Sequence, residues 1–294
     1  MLPLQNNVIQ PAQAVLTPRR RKLGLIGNGI GRSSAPRLHK LAGDRCGVEV
    51  TYDLIDLEGQ DPALFGARVA RCAADGYWAV NVTYPFKEQV IELVTIPDPV
   101  VQQIGAVNTV VFAGAHRGTG YNTDYSGFLR AYQGRFADQA PGVVGLVGTG
   151  GVGKPVAFGL AQLGAHALRF YDLDRAKAEA LAVIVRRAMP QVTVDVCTTL
   201  AEATAGVDGL VNCTPLGMWQ YPGTPIPAAY INGQRWAFDV IYTPLETEFL
   251  KLACARGLEL LSGYELFFYQ GVDAFEHFTG LAVDEAWLRA ALEG

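Results

Sequence analysis

The sequence predicts an α/β fold with a mostly parallel sheet in each of two domains, and three observations carry that prediction. Short apolar runs alternate with helix-like segments from Leu23 to the end of the chain, as in strands that cross over through helices to lie parallel. One such unit, Gly142 to Asp174, reads strand, glycine turn, helix, strand, acid. The chain has 294 residues, half of them hydrophobic, enough for two ordinary cores.

Taken in order, Leu23 to Ile26 is a short apolar strand. It runs into Gly27-Asn28-Gly29-Ile30-Gly31 and then Arg32-Ser33-Ser34-Ala35-Pro36. Proline there suits the first turn of a helix, and the hydroxyls before it suit a cap or an anion. Val48 to Leu54 is a strand, Pro62 to Ala74 an amphipathic helix and Tyr77 to Val82 a strand. The turn Thr83-Tyr84-Pro85-Phe86-Lys87 follows, and Pro85 predicts a helix reaching about Val94. Ala106 to Phe112 and Gly118 to Tyr121 read as edge strands, with Asn108 and Asn122-Thr123-Asp124 as polar groups that must find partners. Ser126 to Phe136 is helical. Beyond Asp172, helices over 175–187, 198–204, 246–255, 264–278 and 284–292 alternate with strands over 192–196, 209–211, 236–241 and 258–261. Residues 215–235 form a long loop rich in Pro and Gly.

In the Gly142–Asp174 unit, Val143 to Val147 is the first strand and Ala167 to Tyr171 the second. Gly148, Gly150 and Gly153 fit G-x-G-x-x-G. The first glycine allows the tight turn, the second lets backbone approach a pyrophosphate, and the third lets helix and strand pack closely. N–H groups at the helix start then face the phosphates. Asp172 ends the second strand, where an acid accepts hydrogen bonds from a ribose. The same letters also read G-x-x-x-x-G-K through Lys154, but a P-loop would next need Ser or Thr for magnesium, and Pro155 stands there. A glycine turn without a nucleotide would not need the flanking strands and the acid. The unit is therefore read as a Rossmann-type dinucleotide site.

Composition narrows the rest. The formal net charge is -4 and no long basic tract occurs, so nothing points to nucleic acid. Arg19-Arg20-Arg21-Lys22 reads as the end of a solvated leader covering residues 1–22. No apolar run reaches the length of a membrane span, and residues 1–18 lack the pattern of a signal peptide, so a cytoplasmic location is expected. The cysteines at 46, 72, 197, 213 and 254 form no C-x-x-C, and the histidines at 39, 116, 166 and 277 have no ligand spacing, so no metal is expected. A dinucleotide implies hydride transfer, which needs a group to take the hydroxyl proton. With no Tyr-x-x-x-Lys after the glycine turn, Lys87 and Asp124 are the best pair: a desolvated lysine shuttles a proton and a carboxylate orients it.

Six motifs then occur in order: Asn81-Val82-Thr83-Tyr84-Pro85-Phe86-Lys87, Gly105-Ala106-Val107-Asn108-Thr109, Gly120-Tyr121-Asn122-Thr123-Asp124, Asn212-Cys213-Thr214-Pro215-Leu216-Gly217-Met218, Asp239-Val240-Ile241-Tyr242-Thr243-Pro244 and Tyr269-Gln270. Together they resemble the shikimate and quinate dehydrogenase family over nearly everything from Leu23 onward. The resemblance implies a substrate-binding α/β domain over 23–124, completed by helices within 264–294, and an NAD-binding Rossmann domain over 125–263. It makes Lys87 and Asp124 the catalytic pair. It puts Thr83, Asn108, Asp124 and Gln270 on ring hydroxyls, and Ser33 on the carboxylate with Tyr242 beside it. Gly151, Val152, Thr214, Ile241 and Gly263 join Gly148, Gly150, Gly153 and Asp172 on the cofactor side. The implied partners are a small ring acid and a nicotinamide cofactor, with the chain acting as monomer or homodimer.

Two departures from the family pattern refine the expectation. The carboxylate loop usually reads Ser-x-Ser or Ser-x-Thr before proline, and here Ala35 removes the second hydroxyl. A hydrogen bond to a charged group is worth about 1.5–3 kcal/mol, so Ser34, Arg32 or Tyr242 compensates or the preferred acid differs. Members that use NADP resemble Asn-Arg-Thr after the second strand, whereas here Asp172-Leu173-Asp174-Arg175 follows. A carboxylate repels a 2′-phosphate, so NAD is expected over NADP, with Arg175 able to soften the preference. The aspartate also resembles the quinate-using branch. The expected reaction is oxidation of quinate to 3-dehydroquinate, of shikimate to 3-dehydroshikimate, or of both. The alternatives are a related acid of aminoshikimate type and a weakly catalytic NAD-binding sensor.

Overall fold

A computed structural model of the chain describes residues 19–115 and 117–293. His116 and residues 1–18 of the expected leader lie outside them. The rest of that leader, Arg19 to Lys22, is not a leader but the start of the first strand, β1 (Arg19–Gly27). It pairs in parallel with β2 (Val48–Asp56) from Arg19 opposite Val48 onward. Three of its four basic side chains find partners there. Arg20 meets Glu49 at 2.7 Å, and Arg21 and Lys22 lie over the rings of Trp78 and Tyr77.

The N-terminal sheet has the order β2-β1-β3-β5-β6-β4. Its further strands are β3 (Ala79–Val82), β4 (Val94–Thr95), β5 (Thr109–Val111) and β6 (Gly118–Tyr121). The sheet is mostly parallel, as expected, with β1, β2, β3, β4 and β6 sharing one direction, and β5 alone runs antiparallel to its neighbours β3 and β6. The helix expected from Pro85 to Val94 does not form. A turn leads into a 3₁₀ helix, Gln89–Leu93, and Val94 is claimed by pairing with Gly118. Helices α1 (Ala35–Cys46), α2 (Phe65–Ala74) and α3 (Pro99–Ile104) cover this half. The last of these was not expected, since six residues are too few to show a helical period.

The C-terminal sheet is wholly parallel, in the order β12-β11-β10-β7-β8-β9. Its strands are β7 (Val143–Val147), β8 (Ala167–Tyr171), β9 (Thr193–Val196), β10 (Gly209–Asn212), β11 (Trp236–Asp239) and β12 (Glu259–Leu261). Taken from β7, this is the 3-2-1-4-5-6 order of a doubly wound dinucleotide fold, whose switch point lies between β7 and β10. Between the strands run α5 (Gly153–Gln162), α6 (Arg175–Ala188), α7 (Leu200–Thr204) and α8 (Glu248–Ala255).

The two halves share helices. α4 (Thr123–Phe136) leaves the N-terminal sheet and buries Phe128 and Tyr132 in the C-terminal core. The border expected between 124 and 125 therefore falls inside its first turn. α9 (Gly263–Thr279) runs back, putting Phe268, Phe275 and Phe278 against α1 and the first sheet, with α10 (Glu285–Glu293) beside it. α4 and α9 cross so closely that a Cβ on Gly127 would lie 2.6 Å from the Gln270 nitrogen. None of the helices among the described residues is long and apolar enough to cross a membrane.

Candidate active site

The turn after β3 places Lys87. Phe86 is buried and stacks on Phe65 at 4.4 Å, which pins the turn to the core beneath it. The Lys87 carbonyl accepts the Val107 N–H at 2.8 Å. Asp124 is placed by the start of α4. Asn122 caps that helix by accepting the Tyr125 N–H at 3.0 Å, and donates its own amide to the Ala106 carbonyl at 2.8 Å. Asp124 thus sits in the first helical turn, where the dipole favours a carboxylate. Lys87 Nζ donates to Asp124 Oδ2 at 2.7 Å, with both residues buried. The pair is separated by 37 residues in sequence. Removing either partner would leave an uncompensated buried charge.

A chain of buried polar groups stands behind it. Asn108 Oδ1 accepts the Thr123 N–H at 2.7 Å and the Thr109 hydroxyl at 2.9 Å, while Asn108 Nδ2 donates to Thr123 Oγ1 at 3.0 Å. Asn81 Nδ2 donates to Thr109 Oγ1 at 3.2 Å, and Tyr52 donates to Asn81 Oδ1 at 2.8 Å. Asn108 therefore ties β5 to the helix start that carries Asp124, with one amide hydrogen left over for another acceptor. Thr109 and Asn81 belong to the ordered motifs, but nothing in the sequence marks them as the partners that support Asn108. His39 lies deeper, stacked on Tyr52 at 5.0 Å, and burial pushes its pKa down to about 3.

The remaining polar positions of this wall lie at α9 and at the loops after β1 and β3. Tyr242 stacks on Phe267 at 4.6 Å. Burial raises its hydroxyl pKa, against a hydrogen bond with Ser33 that lowers it. Gln270 lies one turn further along α9 and donates Nε2 to the Phe267 carbonyl at 2.9 Å, leaving its Oε1 uncommitted. Thr83 packs under the Gly27 loop, since a Cβ on Gly27 would meet the Thr83 methyl at 2.2 Å. At the carboxylate loop, Ser33 Oγ accepts the Ala35 N–H at 3.3 Å, whereas the exposed Ser34 makes no side-chain cap.

Across the cleft stands the glycine turn. Gly148 has φ +93°, and a Cβ there would strike the Cys213 carbonyl carbon and the Thr214 nitrogen at 2.8 and 2.9 Å, so only glycine lets β7 and β10 end side by side. A Cβ on Gly153 would meet the Gly148 oxygen at 2.2 Å, whereas one on Gly150 would meet nothing within 4 Å. The space at Gly150 is open to a ligand, as the second glycine of the motif requires. Val152 occupies the N-cap position of α5 without a side-chain cap bond and is half-buried. Thr214 is held through N and Oγ1 by Asn212 Oδ1 at 2.8 and 2.7 Å. Asn212 in turn donates to Asp239 Oδ1 at 2.9 Å. Asp239, wholly buried, also accepts the Thr247 hydroxyl and the Ile241 N–H, and its pKa is raised to about 6 by burial. Gly263 lets α9 start against the Val240 and Ile241 carbonyls, where a Cβ would lie within 2.4 Å. Arg175 does not face the Asp172 carboxylate; its Nε pairs with Glu179 at 2.7 Å.

The two walls touch. A Cβ on Gly151 would lie 3.7 Å from Lys87 Cβ and Cδ, and Lys154 Nζ, at the start of α5, pairs with Glu88 at 2.8 Å. The lysine that suggested a P-loop is thus a strut to the residue beside Lys87. Desolvation and the nearby Asp239 and Asp124 push the Cys213 thiol pKa far up, which keeps it an inert neighbour.

Comparison with known proteins fits this geometry. Residues 25–110 match the model of the shikimate dehydrogenase substrate binding domain. The chain is 38% identical over 272 residues to the quinate/shikimate dehydrogenase (NAD(+)) of Corynebacterium glutamicum, covering 91% of this chain and 96% of that one. The chain belongs to the shikimate/quinate dehydrogenase family. A member from Streptomyces avermitilis, a shikimate dehydrogenase (NADP(+)), is also 38% identical, over 89% of this chain and 91% of its own. Among solved structures of the family, a quinate dehydrogenase from Corynebacterium glutamicum in complex with NAD superposes with a TM-score of 0.84 at 36% identity, covering 94% of this chain and 99% of that one.

Proposed function

We propose that the protein oxidises a ring hydroxyl of quinate, shikimate or both with NAD, using Lys87 and Asp124 as its catalytic pair. One observation carries the reading: a buried lysine–carboxylate pair at 2.7 Å meets a dinucleotide turn, with Gly151 against the lysine stem. The cofactor fits the second wall, where Gly150 leaves open space and Asp172 follows the end of β8. Bound there, the nicotinamide would supply a hydride acceptor. The protein's own work is then to hold the ring and move one proton. Lys87 takes the proton of the reacting hydroxyl, and Asp124 keeps the lysine aimed and hydrogen-bonds the same region. Thr83, Asn108 and Gln270 hold the other hydroxyls, while Ser33 and Tyr242 hold the ring carboxylate. In this reading residues 23–124 and the last helices carry the ring acid, and 125–263 carry NAD. The Corynebacterium relatives named for NAD, and the aspartate at 172, favour NAD over NADP.

The test is Lys87→Ala. Proton transfer by a placed side chain contributes about 10²–10⁴-fold, so kcat should fall by about 10³-fold while NAD binding by titration calorimetry persists. Turnover within a few-fold of the unaltered protein overturns the assignment. A second reading keeps the chemistry and changes the acid, and Ala35 favours it: alanine has no hydroxyl to donate to a carboxylate, which leaves Ser33, whose Oγ accepts the Ala35 N–H and still has its own hydrogen to donate. A screen of ring acids, amino-substituted ones included, separates the two readings by which acid has the highest kcat/KM.

A further inference from the structure

Thr149 stands between the first two glycines of the turn, where the pyrophosphate motif asks for no hydroxyl, and it is 1% exposed. Its side chain is turned to Asp172. Its N–H and its Oγ1 hydroxyl both donate to Oδ2 of Asp172, at 2.8 and 2.9 Å. On the other carboxylate oxygen, Oδ1 accepts the Asp174 N–H at 2.9 Å. An ionised carboxylate oxygen accepts about two hydrogen bonds, so Oδ2 is filled and Oδ1 keeps one position open. Arg175, held by Glu179, does not compete for that position.

We infer that Thr149 is the positioning residue for cofactor choice. By fixing Oδ2 it presents Oδ1 to the hydroxyls of an unphosphorylated adenosine ribose. It also keeps the negative charge of Asp172 from swinging away from a 2′-phosphate. The inference rests on Asp172 being the residue that selects NAD, and adds what makes that selection rigid. A carboxylate free to rotate into water would lose ordering entropy on binding NAD and could withdraw from NADP; one already held does neither.

The experiment measures dissociation constants of NADH and NADPH by fluorescence titration, which needs no knowledge of the acid substrate. The unaltered protein, Thr149→Val and Thr149→Ser are compared, with kcat and KM for NAD measured on quinate alongside. Thr149→Val keeps the shape and the backbone N–H bond but removes the hydroxyl bond. The ratio of NADPH to NADH dissociation constants should fall about tenfold, the scale of one hydrogen bond to a charged group. The loss should appear in KM for NAD with kcat nearly unchanged, and Thr149→Ser should restore the ratio. A merely structural role would weaken both cofactors alike and leave the ratio unmoved, which overturns the inference. If Thr149→Val does not fold, Thr149→Ala is judged by the same ratio, and failure of both to fold also overturns it. An unaltered protein that binds NADPH at least as tightly as NADH refutes the Asp172 reading itself, whereas an NADH preference untouched by Thr149→Val refutes only the role of Thr149.

Discussion

Along the C-terminal sheet the wall of the cleft is backbone, and along the N-terminal sheet it is side chain. The glycine turn closes over six consecutive residues, and its defining contacts are between main-chain atoms: Gly153 against the Gly148 oxygen, Gly148 against Cys213 and Thr214. The opposite wall takes Lys87 from one turn, Asp124 from a helix start and Asn108 from the lead into β5, and joins them through hydrogen bonds with Thr109, Thr123, Asn81 and Tyr52. A backbone wall tolerates almost any side chain that leaves the space alone. A side-chain wall depends on the rigidity of what lies behind it. Each wall also buries a titratable group at its back, His39 in one half and Asp239 in the other, and the two respond to pH with opposite signs.

The largest expected effect tests the support of the side-chain wall. The pKa of His39 is depressed from 6.5 in the unfolded chain to about 3 when folded. A depressed pKa gives stability that is present above pH 6.5 and is lost as pH falls toward 3, about 5 kcal/mol over the whole window. His39→Phe keeps the stack on Tyr52 without an ionisable ring. Urea unfolding at pH 7 and pH 4 should therefore show a smaller acid loss in the variant. An equal loss in both proteins would mean that His39 is not held neutral.

Gly153→Ala comes next and attacks the backbone wall. Its Cβ would meet a carbonyl oxygen at 2.2 Å, and main chain cannot step aside, so the thermal midpoint should drop by the equivalent of about 3 kcal/mol. Gly150→Ala is the counterpart: with no protein atom within 4 Å it should leave the thermal midpoint alone while raising KM for NAD about tenfold, or about 1.4 kcal/mol. Equal behaviour of the two variants would break the claim that the space at Gly150 belongs to a ligand.

Asp239 sharpens the contrast from the other side. Its pKa rises from 3.8 to about 6 on folding. A raised pKa gives stability that is complete below pH 3.8 and is lost as pH climbs through 6, about 3 kcal/mol in all. Asp239→Asn retains an acceptor for Asn212 and Ile241 and never ionises. Its unfolding free energy should lack that decline between pH 4 and 7, and a variant with the same decline would contradict the account.

The backbone wall was legible in the sequence because its physics is local: three glycines at fixed spacing, a strand on either side and an acid at the end of the second. The strands β7 and β8 were expected with their observed bounds for the same reason. Of the side-chain wall, Lys87 and Asp124 could be picked out as the best-suited residue types, but the rest of it was legible only through the ordered motifs, since residue types alone do not reveal which groups meet across 37 positions. Where tertiary pairing overrode local preference, expectation failed. Arg19 to Lys22 joined β1 because Glu49 and two aromatic rings receive their charges, and the segment after Pro85 gave up its helix so that Val94 could pair with Gly118. Thr149 was passed over because a threonine between two glycines shows its purpose only once Asp172 is seen to accept from it.

The central claim, that this cleft joins a ring acid to NAD, is tested most directly by initial rates of the unaltered protein with NAD and NADP, each paired with quinate and with shikimate. The account predicts turnover of at least one of the two acids, with kcat/KM for NAD exceeding that for NADP by about tenfold or more, the scale of one well-placed carboxylate, about 1.4 kcal/mol. A preference for NADP, or no turnover of either acid with either cofactor, would contradict it.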